Sequence, residues 1–197
     1  MTKYFLNSGG ISHTADKGKK FLNEVVDGLG EHPKILYCLF ARQREYWEKK
    51  FQEDIELNKK ILYGREPDYQ LAMPDKFEAQ VKWCDVLFIH GGDVTLLTYY
   101  LKPFILSVPW KGKRVATSSA GSAFMVRQYW DPDWRRCDNG FGFIPIKLIP
   151  HYKSEFGSDD PRGPIDWEKA LSDLKKTGDQ TLPIYALEQG EYELFEV

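Results

Sequence analysis

Short apolar runs, each followed by a longer amphipathic stretch, recur through the first two-thirds of this chain, and no other feature limits its fold as strongly. Ile35-Leu36-Tyr37-Cys38-Leu39-Phe40 is apolar at every position, and Val86-Leu87-Phe88-Ile89 repeats the pattern. A strand with one wet face alternates apolar and polar residues. An unbroken run marks a strand covered on both faces, as in a parallel sheet between helix layers. The intervening stretches carry helical spacing. Apolar residues at 21, 22, 25, 26 and 29 predict a helix over residues 17–29, stopped at Gly30. Residues 43–61, 95–106 (ending near Pro103), 120–129 and 165–176 read as further helices. Residues 3–6, 34–40, 85–89, 114–118, 143–149, 183–187 and 192–197 read as strands. The expected class is α/β, with a mostly parallel sheet flanked by helices.

With 197 residues, 42 % of them hydrophobic, the chain can fill one full-sized core. Its 16 Gly and 11 Pro are spread along the sequence without a linker or repeat, so residues 1–197 are expected to form a single domain. Charge is nearly balanced, 27 basic against 29 acidic residues, which leaves no basic face for nucleic acid and no polybasic membrane anchor. The densest charged segment, residues 42–60, mixes signs as a solvated helix face does. Met1-Thr2-Lys3-Tyr4-Phe5-Leu6 turns polar too quickly for a secretory signal, and no apolar stretch nears the ~20 residues that cross a bilayer. Cys38, Cys84 and Cys137 stand far apart, with no CxxC spacing or His/Cys cluster to suggest a metal. Unpaired cysteines suit a reducing compartment, and the cytoplasm is the expectation.

Open parallel sheets bind ligands at the carboxyl ends of their strands, and three strand ends carry chemically useful residues. In Arg114-Val115-Ala116-Thr117-Ser118-Ser119-Ala120-Gly121-Ser122-Ala123 a strand enters a helix through small residues. This is the layout of a nucleophile elbow, with Ser119 exposed above the sheet and a helix amino terminus behind it to favour negative charge. The same layout serves a plain small-residue turn or a phosphate cradle, and Thr117 stands where Gly-x-Ser-x-Gly places its first glycine. Gly91-Gly92 lets a backbone amide approach an oxyanion, while Asp93 after it fits a helix N-cap; the two readings are compatible. His90 beside them reads more readily as a hydrogen-bonded structural residue. In the third segment, Pro150-His151 ends a strand and brings an imidazole to the same edge, where a serine needs a base of near-neutral pKa. His13 and His32 lie in polar, loop-like contexts.

Taken in order, these segments resemble the peptidase E group of serine peptidases, which includes aspartyl dipeptidases and, more distantly, cyanophycinases. The resemblance is carried by Gly91-Gly92-Asp93-Val94 with Leu96-Leu97, by Ser119-Ala120-Gly121, by Gly140-Phe141-Gly142-Phe143-Ile144-Pro145, and by Pro150-His151-Tyr152. Leu6-Asn7-Ser8 is similar to the family's first strand end. The resemblance implies a flavodoxin-like three-layer sandwich related to class I glutamine amidotransferase domains. It implies Ser119 as nucleophile, His151 as general base, and the amides of Gly92 and Ala120 as the oxyanion hole. It also implies no metal or organic cofactor, and a short peptide as substrate; monomer and homodimer both fit.

Three departures accompany it. Thr117 replaces a family glycine and adds β-branched bulk beside the elbow. The third triad member, a carboxylate, has two possible places. One is Leu187-Glu188-Gln189-Gly190, where strict matching selects Gln189 and leaves Glu188 one residue early; the other is an aspartate between elbow and histidine, Asp131, Asp133 or Asp138. The late pair ranks ahead of Asp131. Finally, the arginine that suits an acidic substrate in aspartyl dipeptidases has only Arg162 near its place, in Asp159-Asp160-Pro161-Arg162-Gly163-Pro164, so aspartyl specificity is not implied. Hydrolysis of other amides or esters, and ligand binding without turnover, remain alternatives to peptide hydrolysis.

Overall fold

The computed structural model describes residues 1–105 and 109–197. Its strands are β1 (Lys3–Asn7), β2 (Lys34–Cys38), β3 (Asp68–Leu71), β4 (Val86–Ile89), β5 (Arg114–Ser118), β6 (Val126–Asp131), β7 (Arg136–Asn139), β8 (Ile144–Ile149), β9 (Ile184–Ala186) and β10 (Tyr192–Glu196). Its helices are α1 (Lys19–Val26), α2 (Trp47–Ile61), α3 (Phe77–Trp83), α4 (Val94–Leu101), α5 (Ala120–Met125) and α6 (Trp167–Lys176).

Six strands pair in the order β10-β1-β5-β4-β2-β3. All run parallel except β10, which closes the edge antiparallel to β1. The side-chain alternation of the buried strands explains the layers. Ile35 and Tyr37 of β2, Phe5 of β1 and Phe88 of β4 face α1 and pack on Phe21, Val25 and Val26. Leu36, Cys38, Leu6 and Leu87 face the other way, into a larger core with Phe77, Leu97 and Phe124 of α3, α4 and α5. The chain steps from β1 through β2 to β3 in one direction and returns through β4 to β5. Right-handed crossovers therefore switch face when the direction reverses. The neighbours β1 and β5 send their helices to opposite faces, and a crevice opens at their carboxyl ends.

A second sheet of four strands, β7-β6-β8-β9, packs beside the first. Tyr129, Ile144, Ile146 and Leu148 from its strands join the same core cluster as Leu6 and Val115. On its other side, Trp130, Ile149 and Tyr152 pack on Ala170 and Leu174 of α6. Lys147 is fully buried and donates from Nζ to the carbonyls of Leu174 (3.0 Å) and Thr177 (2.5 Å), so a cation meets the carboxyl end of α6. β8, whose end carries His151, is thereby pinned to α6.

The expected α/β class with a mostly parallel sheet is the one observed, with differences in its elements. The helix expected over 120–129 stops at Met125, and Val126 begins β6. Phe141 and Gly142 donate their amides to the carbonyls of Phe124 and Val126, which a continuing helix would have used itself. Tertiary pairing overrides local periodicity there. The expected 95–106 helix ends at Leu101 and passes into a 3₁₀ turn over Lys102–Phe104, while Leu106 lies outside the described residues. Edge strands β3 and β7 and the seven-residue α3 are additions. Pro145, inside β8, takes an exposed position where the β6–β8 register shifts, so no ladder bond is lost to it.

Leu36→Ala, in the middle of the larger core, should lower unfolding free energy by about 2–5 kcal/mol. Leu194→Ala on the outer strand, where Leu194 is 38 % exposed, should stay within about 0.5 kcal/mol. Urea melts of the two variants check the pair.

Candidate active site

Ser119 follows β5 directly and caps α5 with φ 48° and ψ −108°, a backbone conformation that L-residues avoid. Strain of this kind costs roughly 1–3 kcal/mol and persists only where surroundings over-determine it. Here they do. The Ser119 amide donates to the Asn7 carbonyl at the end of β1 (2.9 Å), and its carbonyl accepts the Ala123 amide (2.9 Å). Behind the turn, the buried hydroxyls of Thr117 and Ser122 meet at 2.7 Å and reach the carbonyls of Phe5 (3.2 Å) and Asn7 (2.7 Å). Thr117 is thus buried behind the elbow, its hydroxyl bonded within the sheet. Its hydroxyl gives a β-branched residue a structural use at a place where glycine would offer none.

His151 follows β8 and also holds a positive φ, 57°. Its Nε2 lies 2.9 Å from the Ser119 Oγ. Three contacts fix the ring. The His151 amide donates to Ser8 Oγ (2.6 Å), whose hydroxyl donates on to the Leu187 carbonyl (2.9 Å). Phe156 stacks on one face at 4.3 Å between centroids and 20° between planes. Gly9 covers another side so closely that a Cβ there would stand 2.4 Å from His151 Cε1. Burial pushes the imidazole pKa down to about 4, so the ring is neutral and able to accept a proton over the physiological range.

Gly92 and Ala120 flank the serine at the mouth of a cavity of about 340 Å³, which Tyr129, Asp131, Asp133 and Trp134 also line. Ala120 is the first residue of α5, so its amide has no intrahelical carbonyl to meet. At Gly92, φ is 147° and a Cβ would lie 2.2 Å from the Ala41 carbonyl, so only glycine brings this backbone so close. Asp93 caps α4, accepting the amides of Thr95 (2.6 Å) and Leu96 (3.0 Å), and its N-cap reading is the observed one. His90 faces the opposite side of the sheet. It packs on Tyr37 and Phe88, its Nε2 stands 3.3 Å from Asp54, and burial holds it well below its usual pKa and uncharged.

None of the candidate orienting groups reaches the far side of the imidazole. His151 Nδ1 is buried and meets no hydrogen-bond partner among the described residues. Glu188 and Gln189 are exposed in the turn after β9; the Glu188 amide is held by the Glu191 carboxylate (2.7 Å), and Gln189 lies over Gly10. Asp131 is buried in the cavity wall, where its Oδ1 accepts the amides of Asp133 (2.9 Å) and Trp134 (3.1 Å). Asp138 pairs with Arg136 at 3.0 Å. Phe156 and Gly9 flank the ring, and the late turn is held by the Gly190 amide on the Gly9 carbonyl (2.7 Å). Arg162 lines the cavity but is tied to Asp160 through Nε (2.9 Å). Ser8, Gly9 and Phe156 were not singled out as site residues. Ser8 enters the sequence reading only within the strand end Leu6-Asn7-Ser8, Gly9 belongs to no motif named there, and Phe156 follows His151 in a segment without periodicity.

Among the described residues, no group of three or more His, Cys, Asp or Glu is placed to hold a metal ion, and no helix is long and apolar enough to cross a membrane. No family model matches the chain, and no curated protein matches it in sequence. Solved structures do match its fold. A peptidase from an acI-B1 Actinobacterium superposes with a TM-score of 0.66 at 19 % identity, covering 99 % of this chain and 83 % of that one. A candidate peptidase E protein from Listeria monocytogenes EGD-e superposes with a TM-score of 0.62 at 14 % identity, covering 100 % of this chain and 99 % of that one. At these identities the likeness is one of fold.

If burial sets the imidazole pKa, NMR titration of His151 should give a midpoint near 4, and the ring should stay neutral through pH 6. A midpoint at 6.5 or above would show that a counter-charge reaches Nδ1 in solution.

Proposed function

We propose that this chain is a serine-type peptidase acting on short peptides, with Ser119 as nucleophile and His151 as general base. One observation carries the reading: Nε2 of a neutral, buried imidazole stands 2.9 Å from a hydroxyl held on a strained strand-to-helix turn. A neutral base within hydrogen-bond reach of a serine is what proton removal requires. The likeness of fold to two proteins named as peptidases supports the same class.

In this reading Ser119 Oγ bonds to the substrate carbonyl carbon as its proton passes to His151 Nε2. The carbonyl oxygen becomes an oxyanion facing the Gly92 and Ala120 amides. Collapse of the tetrahedral species breaks the bond to the leaving amine, which takes the proton from His151, and Ser119 is left acylated. Water then enters, gives a proton to Nε2, and its oxygen displaces Ser119, which recovers that proton. Among the described residues, no carboxylate is hydrogen-bonded to the ring to stabilise the imidazolium formed in each half. Catalysis should therefore be slower than in triads where one is present. The three cysteines are free, as a reducing, cytoplasmic setting would keep them.

A second reading, binding of a peptide or small molecule without turnover, draws on the same unpartnered Nδ1. A fluorophosphonate probe separates the two. Mass spectrometry should find one phosphonyl adduct, on the peptide containing Ser119, and none on Ser119→Ala. His151→Ala should slow adduct formation and peptide hydrolysis by at least ~10²-fold with the fold intact. No adduct at Ser119, or unchanged rates in His151→Ala, refutes the catalytic reading.

A further inference from the structure

We propose that Phe156 is the positioning residue of the base: its ring holds the His151 imidazole toward Ser119 and keeps water off one face. The use of that placement rests on the peptidase reading; the placement itself rests on the packing around His151.

An imidazole turns readily about its Cβ–Cγ bond, because that torsion is broad and roughly two-fold. In Ser-His-Asp sites a carboxylate on Nδ1 fixes both the rotation and the tautomer. Here Nδ1 is buried and meets no hydrogen-bond partner among the described residues, and the ring is bonded through Nε2 to Ser119 Oγ (2.9 Å). A bond at one corner leaves the ring free to swing unless its faces are blocked. Phe156 blocks one of them. The two rings lie 4.3 Å apart between centroids and 20° from parallel, so turning the imidazole out of its plane drives its edge into the phenyl ring. Along the Cε1 edge, the Gly9 backbone stands so near that no side chain fits between them.

The local chain delivers the phenyl ring. The His151 carbonyl accepts both the amide (3.2 Å) and the hydroxyl (2.6 Å) of Ser154, and the Phe156 amide donates to that hydroxyl (3.2 Å). A serine hydroxyl that takes the amide two residues on makes a tight turn. With positive φ at His151 and Lys153, the turn folds the chain back, and a residue five positions later lies over the imidazole. Phe156 also packs on the apolar cluster formed by Trp130, Ile149, Tyr152, Ile165 and Leu174. It is therefore held from two sides, by its own turn and by that cluster. The groups against the imidazole, Ser119, Gly9 and Phe156, carry no charge, and burial is what draws its pKa down to about 4.

Fluorophosphonate labelling of Ser119, followed over probe concentration, separates the maximal rate from the half-saturating concentration. The assay is run at about pH 8.5, where an imidazole is neutral whether shielded or not. Phe156→Leu keeps apolar bulk and loses the flat stack. Its maximal rate should fall ~10-fold, about the full worth of one aromatic pair, with the half-saturating concentration unchanged. Phe156→Tyr keeps the stack and should label as the wild type does. Ile165→Ala thins the same cluster outside the stack and should also label as the wild type does. By NMR, the His151 midpoint should rise in Phe156→Ala from about 4 toward the ordinary 6.5, because water then reaches the ring and favours its charged form.

An unchanged maximal rate in Phe156→Leu, or a change confined to the half-saturating concentration, overturns the proposal. So does an equal fall in Phe156→Tyr or in Ile165→Ala, or a midpoint in Phe156→Ala that stays near 4. Labelling of the wild-type chain is read separately. A wild-type chain that takes no label at Ser119 removes the peptidase reading, and the NMR midpoint alone then decides whether Phe156 shields the ring. Normal labelling of the wild type and of Phe156→Leu removes the positioning role and leaves the peptidase reading standing.

Discussion

Both halves of the site hang from the end of β1. The Asn7 carbonyl accepts the Ser119 amide and the Ser122 hydroxyl, which sets the elbow. One residue on, the Ser8 hydroxyl accepts the His151 amide and donates to the Leu187 carbonyl, which sets the end of β8. Gly9 then packs against the imidazole with no room for a side chain. A nucleophile from the six-stranded sheet and a base from the four-stranded sheet meet at 2.9 Å because one short, buried segment addresses both. That segment is itself tied to the chain's end, through Asn7 Nδ2 to the carbonyls of Gly190 and Glu191.

The electrostatics of the pair follow from the same packing. Phe156 and Gly9 enclose the ring with apolar contacts, and burial outweighs any stabilisation of its charged form. The neutral imidazole is ready to accept a proton, and the imidazolium it becomes is poorly supported. Meanwhile the groups that sequence reasoning offered to the histidine stand elsewhere: the carboxylates Asp131 and Asp133 line the cavity, and Glu188 and the amide Gln189 are exposed. Negative charge near the serine is thus on the cavity wall and not at the base.

The α/β class was legible because β2 and β4 are apolar without alternation, which only a doubly covered strand requires. Ser119, Gly92, Ala120 and His151 could be offered as candidates because each lies just beyond a strand end, where topology collects residues at one edge. The β6 strand was hidden because Ala120 to Tyr129 carries helical spacing, and the bonds from Phe141 and Gly142 that end the helix come from distant sequence. The surroundings of His151 were hidden for a similar reason. Strand alternation fixes which side of a sheet a residue faces, but Glu188 and Gln189 lie in a turn whose course depends on the Gly190–Gly9 bond. The use of the Thr117 hydroxyl was hidden because its partner, on Ser122, lies across a turn that local sequence does not describe.

The most direct measurement of the central claim is a crystal structure of the chain after reaction with a fluorophosphonate. Phosphorus should be bonded to Ser119 Oγ, with the phosphoryl oxygen about 2.7–3.1 Å from the amides of Gly92 and Ala120. His151 Nε2 should remain beside the serine oxygen. An adduct on another residue, or a phosphoryl oxygen turned away from both amides, would contradict the account.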